Sequence, residues 1–154
     1  MILENTLARN LAEAFAQGRG PLWCTLTDPD SQATIQLELQ ENDRLGCRLR
    51  EIRIARSRPG TDLAQEAERL AKRITGLLEK LKIHEIDQGL GLAVLRSDTP
   101  AIQGDSRSYF ELILSSDRVT LKRWRSSCAV SGRTPSDFTI THEALTKLLN
   151  DLVC

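Results

Sequence analysis

A chain of 154 residues, 40% hydrophobic and 27% charged, is long enough to bury a core without crosslinks and too apolar throughout to be disordered. Its formal net charge of zero gives the whole molecule no pull toward nucleic acid or an anionic membrane. The longest apolar run, "LGLAVL", falls far short of the roughly 20 residues of a membrane span. "MILENTLARN" carries a Glu and spaced apolar residues where a secretion signal has cations and a continuous run. One cytoplasmic domain over residues 1–154 is expected.

Residues 2–17 read as a helix, because Leu3, Leu7, Leu11, Ala14 and Phe15 recur at helical spacing. "GRGP" from Gly18 to Pro21 stops it. "LWCTLT" then places Leu22, Cys24 and Leu26 on one face of a strand, and "DPDS" makes a turn. "ATIQLELQ" places Ile35, Leu37 and Leu39 on one face, and "RLGCRLR" does the same with Leu45, Cys47 and Leu49. A three-residue loop at Glu41–Asp43 matches those faces, pairing Leu39 with Leu45, Leu37 with Cys47 and Ile35 with Leu49. Ile52 and Ile54 fall on the opposite parity, which calls for a bulge or break near Arg50–Glu51. "SRPG" ends the strand.

The stretch "TDLAQEAERLAKRITGLLEKLK" (61–82) predicts a long amphipathic helix. Its stripe is Leu63, Ala67, Leu70, Ala71, Ile74, Leu77, Leu78 and Leu81, and Asp62 with Gln65 fits a capping box. "GLGLAVLR" (89–96) reads as a strand and "SDTPAIQGD" as a loop. Ser106 to Ser127 reads as two strands around a turn at Ser116–Asp117. "SSCAVSGRTPSD" is a polar connection, and "TITHEALTKLLNDLV" a final helix with Ala144, Leu145, Leu148, Leu149 and Leu152 on one side. The order α–βββ–α–βββ–α, with segregated helices, predicts an α+β fold whose antiparallel sheet is packed by helices. Each strand block ends in a basic strand, "RLREIRIARSR" and "TLKRWR", a weak self-similarity.

No motif brings a reaction with it. "GLGLAV" lacks the third glycine of a dinucleotide loop and runs into a strand. There is no P-loop, no HExxH and no GxSxG. Cys24, Cys47, Cys128 and Cys154 form no CxxC and stand far in sequence from His84 and His142, so no metal or cofactor is expected. Cys24 and Cys47 fall on apolar strand phases as small hydrophobes. His84 with Glu85 and Asp87 reads as a solvated connection. His142 sits in the first turn of the last helix. An enzyme would need one of these histidines in a pocket beside carboxylates.

The final hairpin makes the sharpest expectation. A turn at Ser116–Asp117 pairs Leu114 with Val119, Leu112 with Leu121 and Phe110 with Arg123 on one face. It pairs Ile113 with Thr120, Glu111 with Lys122 and Tyr109 with Trp124 on the other. Tyr109, Glu111, Lys122 and Trp124, with Arg123 and Arg125 beside them, are therefore a candidate interaction surface. A helix of the same chain, a second subunit or partner, or stacked bases are the three coverings for it. Six arginines lie between Arg44 and Arg58, and Arg48, Arg50 and Arg53 make a candidate basic patch for phosphates.

Taken together, "TLARNLAEAF", "TIQLELQ", "AERLAKRITGLLEKL" and "ALTKLLNDLV", in this element order and at 17.2 kDa, resemble the type III secretion chaperones. That resemblance implies a homodimer holding a peptide or protein partner, without catalysis; the members look acidic, and this chain is neutral and Arg-rich. The expected function is a non-enzymatic, chaperone-like protein- or peptide-binding module acting as a homodimer. The alternatives are a nucleic-acid-binding protein using its Arg-rich strands, and an enzyme with an unrecognised site.

Overall fold

The computed structural model describes residues 2–17, 21–57 and 60–153, and their side chains except those of residues 2–4, 15 and 17. The side chains of Leu3 and Phe15, the glycines of the first helix stop, Arg58 with Pro59 of "SRPG", and Cys154 lie outside the described residues. In chain order the elements are α1 (Ile2–Gln17), β1 (Leu22–Thr27), β2 (Thr34–Asn42), β3 (Gly46–Ala55), α2 (Leu63–Arg73) and β4 (Leu81–Asp87). Then follow β5 (Leu92–Ser97), β6 (Ala101–Gln103), β7 (Ser106–Leu114), β8 (Arg118–Ser127), β9 (Val130–Ser136), β10 (Phe138–Thr141) and α3 (His142–Val153). This is an α+β fold around one antiparallel sheet with the path β1-β2-β3-β8-β7-β5-β4.

The helices cover one face. α1 packs on β1 and β2, α2 on β4 and β5, and α3 on β3 and β10 while touching both other helices. Leu7 and Leu11 of α1, Leu70 of α2 and Leu145, Leu148, Leu149 and Leu152 of α3 share a single buried cluster with the inward residues of the strands. Those strand residues include Leu37, Ile52, Ile54, Leu112, Leu114, Val119 and Leu121. Full burial of one such side chain contributes roughly 1.5–3 kcal/mol.

The β7–β8 hairpin has the expected register at all six pairs, from Tyr109 opposite Trp124 to Leu114 opposite Val119. The β2–β3 hairpin does not. Its turn lies at Asp43–Leu45, with Asn42 opposite Cys47, Leu37 opposite Ile52 and Ile35 opposite Ile54. Asp43 Oδ1 accepts the Leu45 and Gly46 amides at 2.8 and 2.9 Å, and this side-chain-closed turn overrides the apolar match that favoured Glu41–Asp43. Leu45 consequently sits on the turn, exposed. The bulge is where the parity slip places it. Leu39 faces Leu49 and Glu38 faces Glu51, so Arg50 is the extra residue of β3 and Gln40 of β2.

The predicted helix over 61–82 ends at Arg73. Asp62 is its N-cap, accepting from Ala64 N and Gln65 N, and Ile74 is already extended at ψ 108°. Gly76 then passes so close to α3 that an added Cβ would lie 3.2 Å from the Ala144 carbonyl oxygen. Leu78 projects into solvent, and Leu81 begins β4. Leu77, Leu78 and Leu81 do recur at helical spacing. The open edge of β5 nevertheless offers "LKIHEID" a full ladder of main-chain bonds, and tertiary pairing overrides propensity. The second strand block therefore holds seven strands, not three. β6, β9 and β10 come from segments read as loop, connection and helix start.

β3 is the keel of the sheet. One edge pairs with β2 along its length. The other is shared: Glu51–Ala55 pair with β8, and Gly46–Leu49 pair with β10. The change of partner falls at the bulged Arg50. Beyond it β8 parts from β3 and takes β9 as its neighbour on that side, while the outer half of β7 takes β6. The outer half of the hairpin thus projects as an arm of four strands, and a fork opens between the arm and β10.

Candidate interaction surfaces

The face of the sheet opposite the helices carries one continuous row of direct neighbours across seven strands. It runs Trp23, Glu38, Glu51, Lys122, Glu111, Arg96, Lys82. At a strand spacing of roughly 4.8 Å the row is about 29 Å wide. The bulge matters here, because it turns both Arg50 and Glu51 outward while Leu49 and Ile52 stay inside.

The charges on this face are tied to each other. Glu51 accepts from Arg53 Nε at 2.9 Å, with Lys122 Nζ at 3.8 Å. Glu111 accepts from Arg96 Nε at 2.9 Å and from both terminal nitrogens of Arg133 at 2.8 and 3.2 Å. Arg133 Nη1 also donates to the Tyr109 hydroxyl at 3.1 Å. Each ring lies under a cation: Arg53 over Trp23 at 4.5 Å, Arg96 over Tyr109 at 5.5 Å, and Arg133 over Trp124 at 4.0 Å with Lys122 at 5.5 Å. Such stacking suits the flat guanidinium better than an ammonium.

Cations, not helices, therefore cover the carboxylates: Glu51 and Glu111 are only 5% and 4% exposed. Burial pushes the Glu111 carboxyl up. The hydrogen bonds and charges of Arg133 and Arg96 outweigh that and hold it below the ordinary carboxylate range. The indole N–H of Trp124 is buried without a partner.

Tyr109, Glu111, Lys122 and Trp124 are thus brought together as expected from the hairpin. Arg123 and Arg125 are not with them. They point to the other side of the strand, where Arg123 lies 4.5 Å over Phe110 and pairs with Glu79 at 2.9 Å, and Arg125 donates to Ser106 Oγ at 3.0 Å. Arg133, the residue that locks the surface, stands in a segment with no apolar alternation. Its only sequence signal is a cation near Gly132, which takes the left-handed conformation at φ 88°.

The arginines of β3 are matched by carboxylates. Arg48 faces Glu41 at 3.2 Å and Asp137 at 3.7 Å, Arg50 faces Asp137 at 2.9 Å, and Arg53 belongs to Glu51. Arg56, counted in the same run, is buried and joins Glu66 at 2.7 Å and the Leu152 carbonyl at 2.7 Å, tying β3 to α2 and α3. His84 is exposed on β4, 3.2 Å from Arg96 Nη1. His142 Nε2 lies 2.7 Å from Asn42 Oδ1 at the start of α3.

The fork holds a second surface that the sequence does not announce. It is a crevice of about 490 Å³ between Gly76–Glu79 on one side and Phe138–Thr141 on the other, with Phe110, Arg123, Asp137 and Ala144 also lining it. Most of its lining is apolar. Glu79 and Arg123 form an ion pair in its wall, and each keeps one buried atom without a partner, Oε1 and Nη1. None of the described helices is long and apolar enough to cross a membrane. No family model, curated protein or solved structure matches this chain.

Proposed function

We propose that this protein is a cytoplasmic, non-enzymatic protein-binding module that works as a homodimer through the helix-free face of its sheet. One observation carries the reading. Three aromatic rings, each stacked with a cation, stand on the face that the chain's own helices leave open. Trp, Tyr and Arg are the side chains over-represented at the energetic centres of interfaces. A row about 29 Å wide needs about 28 Å along the strands, or about eight residues, to supply the roughly 800 Å² per partner of a standard interface, and β2, β3, β7 and β8 are 9 to 10 residues long. In the Arg53–Glu51–Lys122–Glu111–Arg133 lattice the buried carboxylates largely neutralise the cations that cover them, so the face offers a second copy flat guanidinium and ring surface. A resemblance to type III secretion chaperones implies the same pair of properties, a dimer and a protein partner.

Sedimentation velocity of wild type and Trp124→Ala tests this. Wild type should sediment as a dimer at micromolar concentration. The variant should dissociate with an unchanged circular dichroism spectrum, because an interfacial tryptophan is worth about 2 kcal/mol or more. A wild-type monomer removes the dimer, and an unshifted Trp124→Ala dimer removes this face from its interface.

A further inference from the structure

The crevice at the fork is bounded by four consecutive residues of one strand, Phe138 to Thr141. Side chains of consecutive strand residues point to opposite faces, so a strand that lines a crevice in this way presents its edge. The register says which main-chain groups face in. Asp43 N–H donates to the Gly46 carbonyl, so Gly46 and Arg48 bond toward β2 and Cys47 and Leu49 bond toward β10. The bond from His142 N–H to the Leu45 carbonyl agrees with this phase. By antiparallel alternation Phe138 and Ile140 bond to β3, and Thr139 turns its N–H and C=O into the crevice. Among the described residues no main-chain or side-chain partner meets either group.

An exposed strand edge with one donor and one acceptor on the same residue is the complement of a single residue of an extended chain. The rest of the crevice narrows the chemistry. Phe110, Phe138, Leu77 and Ala144 offer apolar contact. Arg123 is neutralised by Glu79, and Asp137 by Arg50, so the walls favour no charge. β10 spans about 13 Å at 3.3 Å per residue, the length of three or four peptide units. A volume of about 490 Å³ lies within the range of specific ligand sites.

We propose that the crevice takes a short, extended, uncharged peptide segment with an apolar side chain, paired in strand fashion to Thr139. The proposal rests on the protein-binding reading for its class of partner and not on the dimer. The segment's N–H donates to the Thr139 carbonyl and its carbonyl accepts from the Thr139 N–H. Its apolar side chain enters between Leu77 and the two phenylalanines.

The test is a titration of the ¹⁵N-labelled chain with acetyl-Phe-Leu-amide, followed by the Thr139 amide resonance and, in every variant, by those of Leu77, Phe110 and Ala144 in the crevice wall. A saturable shift with half-saturation at or below about 1 mM is expected for so small a probe. Thr139→Pro deletes the inward N–H but no bond to β3, a change that edge strands tolerate. It should weaken binding about tenfold. Glu79→Gln supplies an independent arm, since it leaves the Arg123 charge without its carboxylate. The free-acid probe acetyl-Phe-Leu should then gain about tenfold over the amide. No saturable shift at about 10 mM, undiminished binding by a folded Thr139→Pro, or an unaltered preference in Glu79→Gln each overturns the proposal. Sedimentation separates the two readings. A monomer that binds the probe sinks the dimer alone, and a dimer that ignores it sinks the crevice alone.

Discussion

Glu111→Gln removes the charge at the centre of the outer lattice and leaves the side chain's volume almost unchanged. Three hydrogen bonds end on this carboxylate, from Arg96 at 2.9 Å and from Arg133 at 2.8 and 3.2 Å. A bond to a charged group is worth about 1.5–3 kcal/mol in a buried setting. Arg96 and Arg133 are 33% and 34% exposed, however, so both turn to water once the carboxylate is gone, and most of that value is screened. The Gln carbonyl still accepts one bond. The expected loss is about 2 kcal/mol, or about 4–8 °C in Tm for a chain of this length. Urea and thermal denaturation at pH 7, followed by circular dichroism, measure it.

Acid gives the same prediction a second reading. The folded Glu111 carboxyl lies below its ordinary value despite its burial, because Arg133 and Arg96 hold it there. A depressed carboxyl contributes stability that is complete above the unfolded pKa, roughly 4.3, and is lost as pH falls through the folded value. The gap between wild type and variant should therefore close in acid. A gap below about 0.5 kcal/mol at pH 7, or one that persists undiminished near pH 2.5, refutes the role given to this carboxylate.

Two further outcomes test the frame around the fork. Gly46→Ala would place a Cβ 2.6 Å from the Ile140 carbonyl oxygen, so β10 must withdraw from β3. A loss of about 1–3 kcal/mol in denaturation is expected, and full stability would show that the close approach is dispensable. Burial pushes up the thiols of Cys24 and Cys47, the latter to about 12 with the charges of Asp43 and Cys24 adding to it. Exposed Cys128 should react with N-ethylmaleimide at pH 8 while these two are modified only in urea. Mass spectrometry of the labelled peptides decides it, and equal native labelling of Cys47 and Cys128 contradicts the packing.

The hairpin was legible in the sequence because two constraints agree there. Leu112, Leu114, Val119 and Leu121 fix the inward phase, and the Ser116–Asp117 turn admits that phase. In β2–β3 the two constraints conflict. The apolar match favours Leu45 inside, and Asp43 draws the turn onto Leu45 instead. β4 was hidden because its leucines also satisfy a helical period. β9 was hidden because all but its last residue are exposed, so no alternation marks it, and its main-chain bonds to β8 define it. Half of the outer surface followed from the hairpin alone. Trp23, Arg96 and Arg133 joined it only through strand order, which no local pattern encodes. The crevice depends on β10 and on the end of α2, two places where local propensity was overruled.

The sharing of β3 between β8 and β10 also bears on the order in which the chain acquires its shape. β3 meets β2 early, across a short turn. Its remaining partners arrive only from residue 118 onward and from residue 138 onward. Until then Ile52 and Ile54 have one neighbouring strand and lack α3, whose leucines share their buried cluster. Loops of this length close slowly, and topologies dominated by distant pairings fold on the slow side for their size. During synthesis the first half of the chain would therefore remain an unfinished sheet with an open apolar face. β3 stays unfinished until β10 and α3 leave the ribosome.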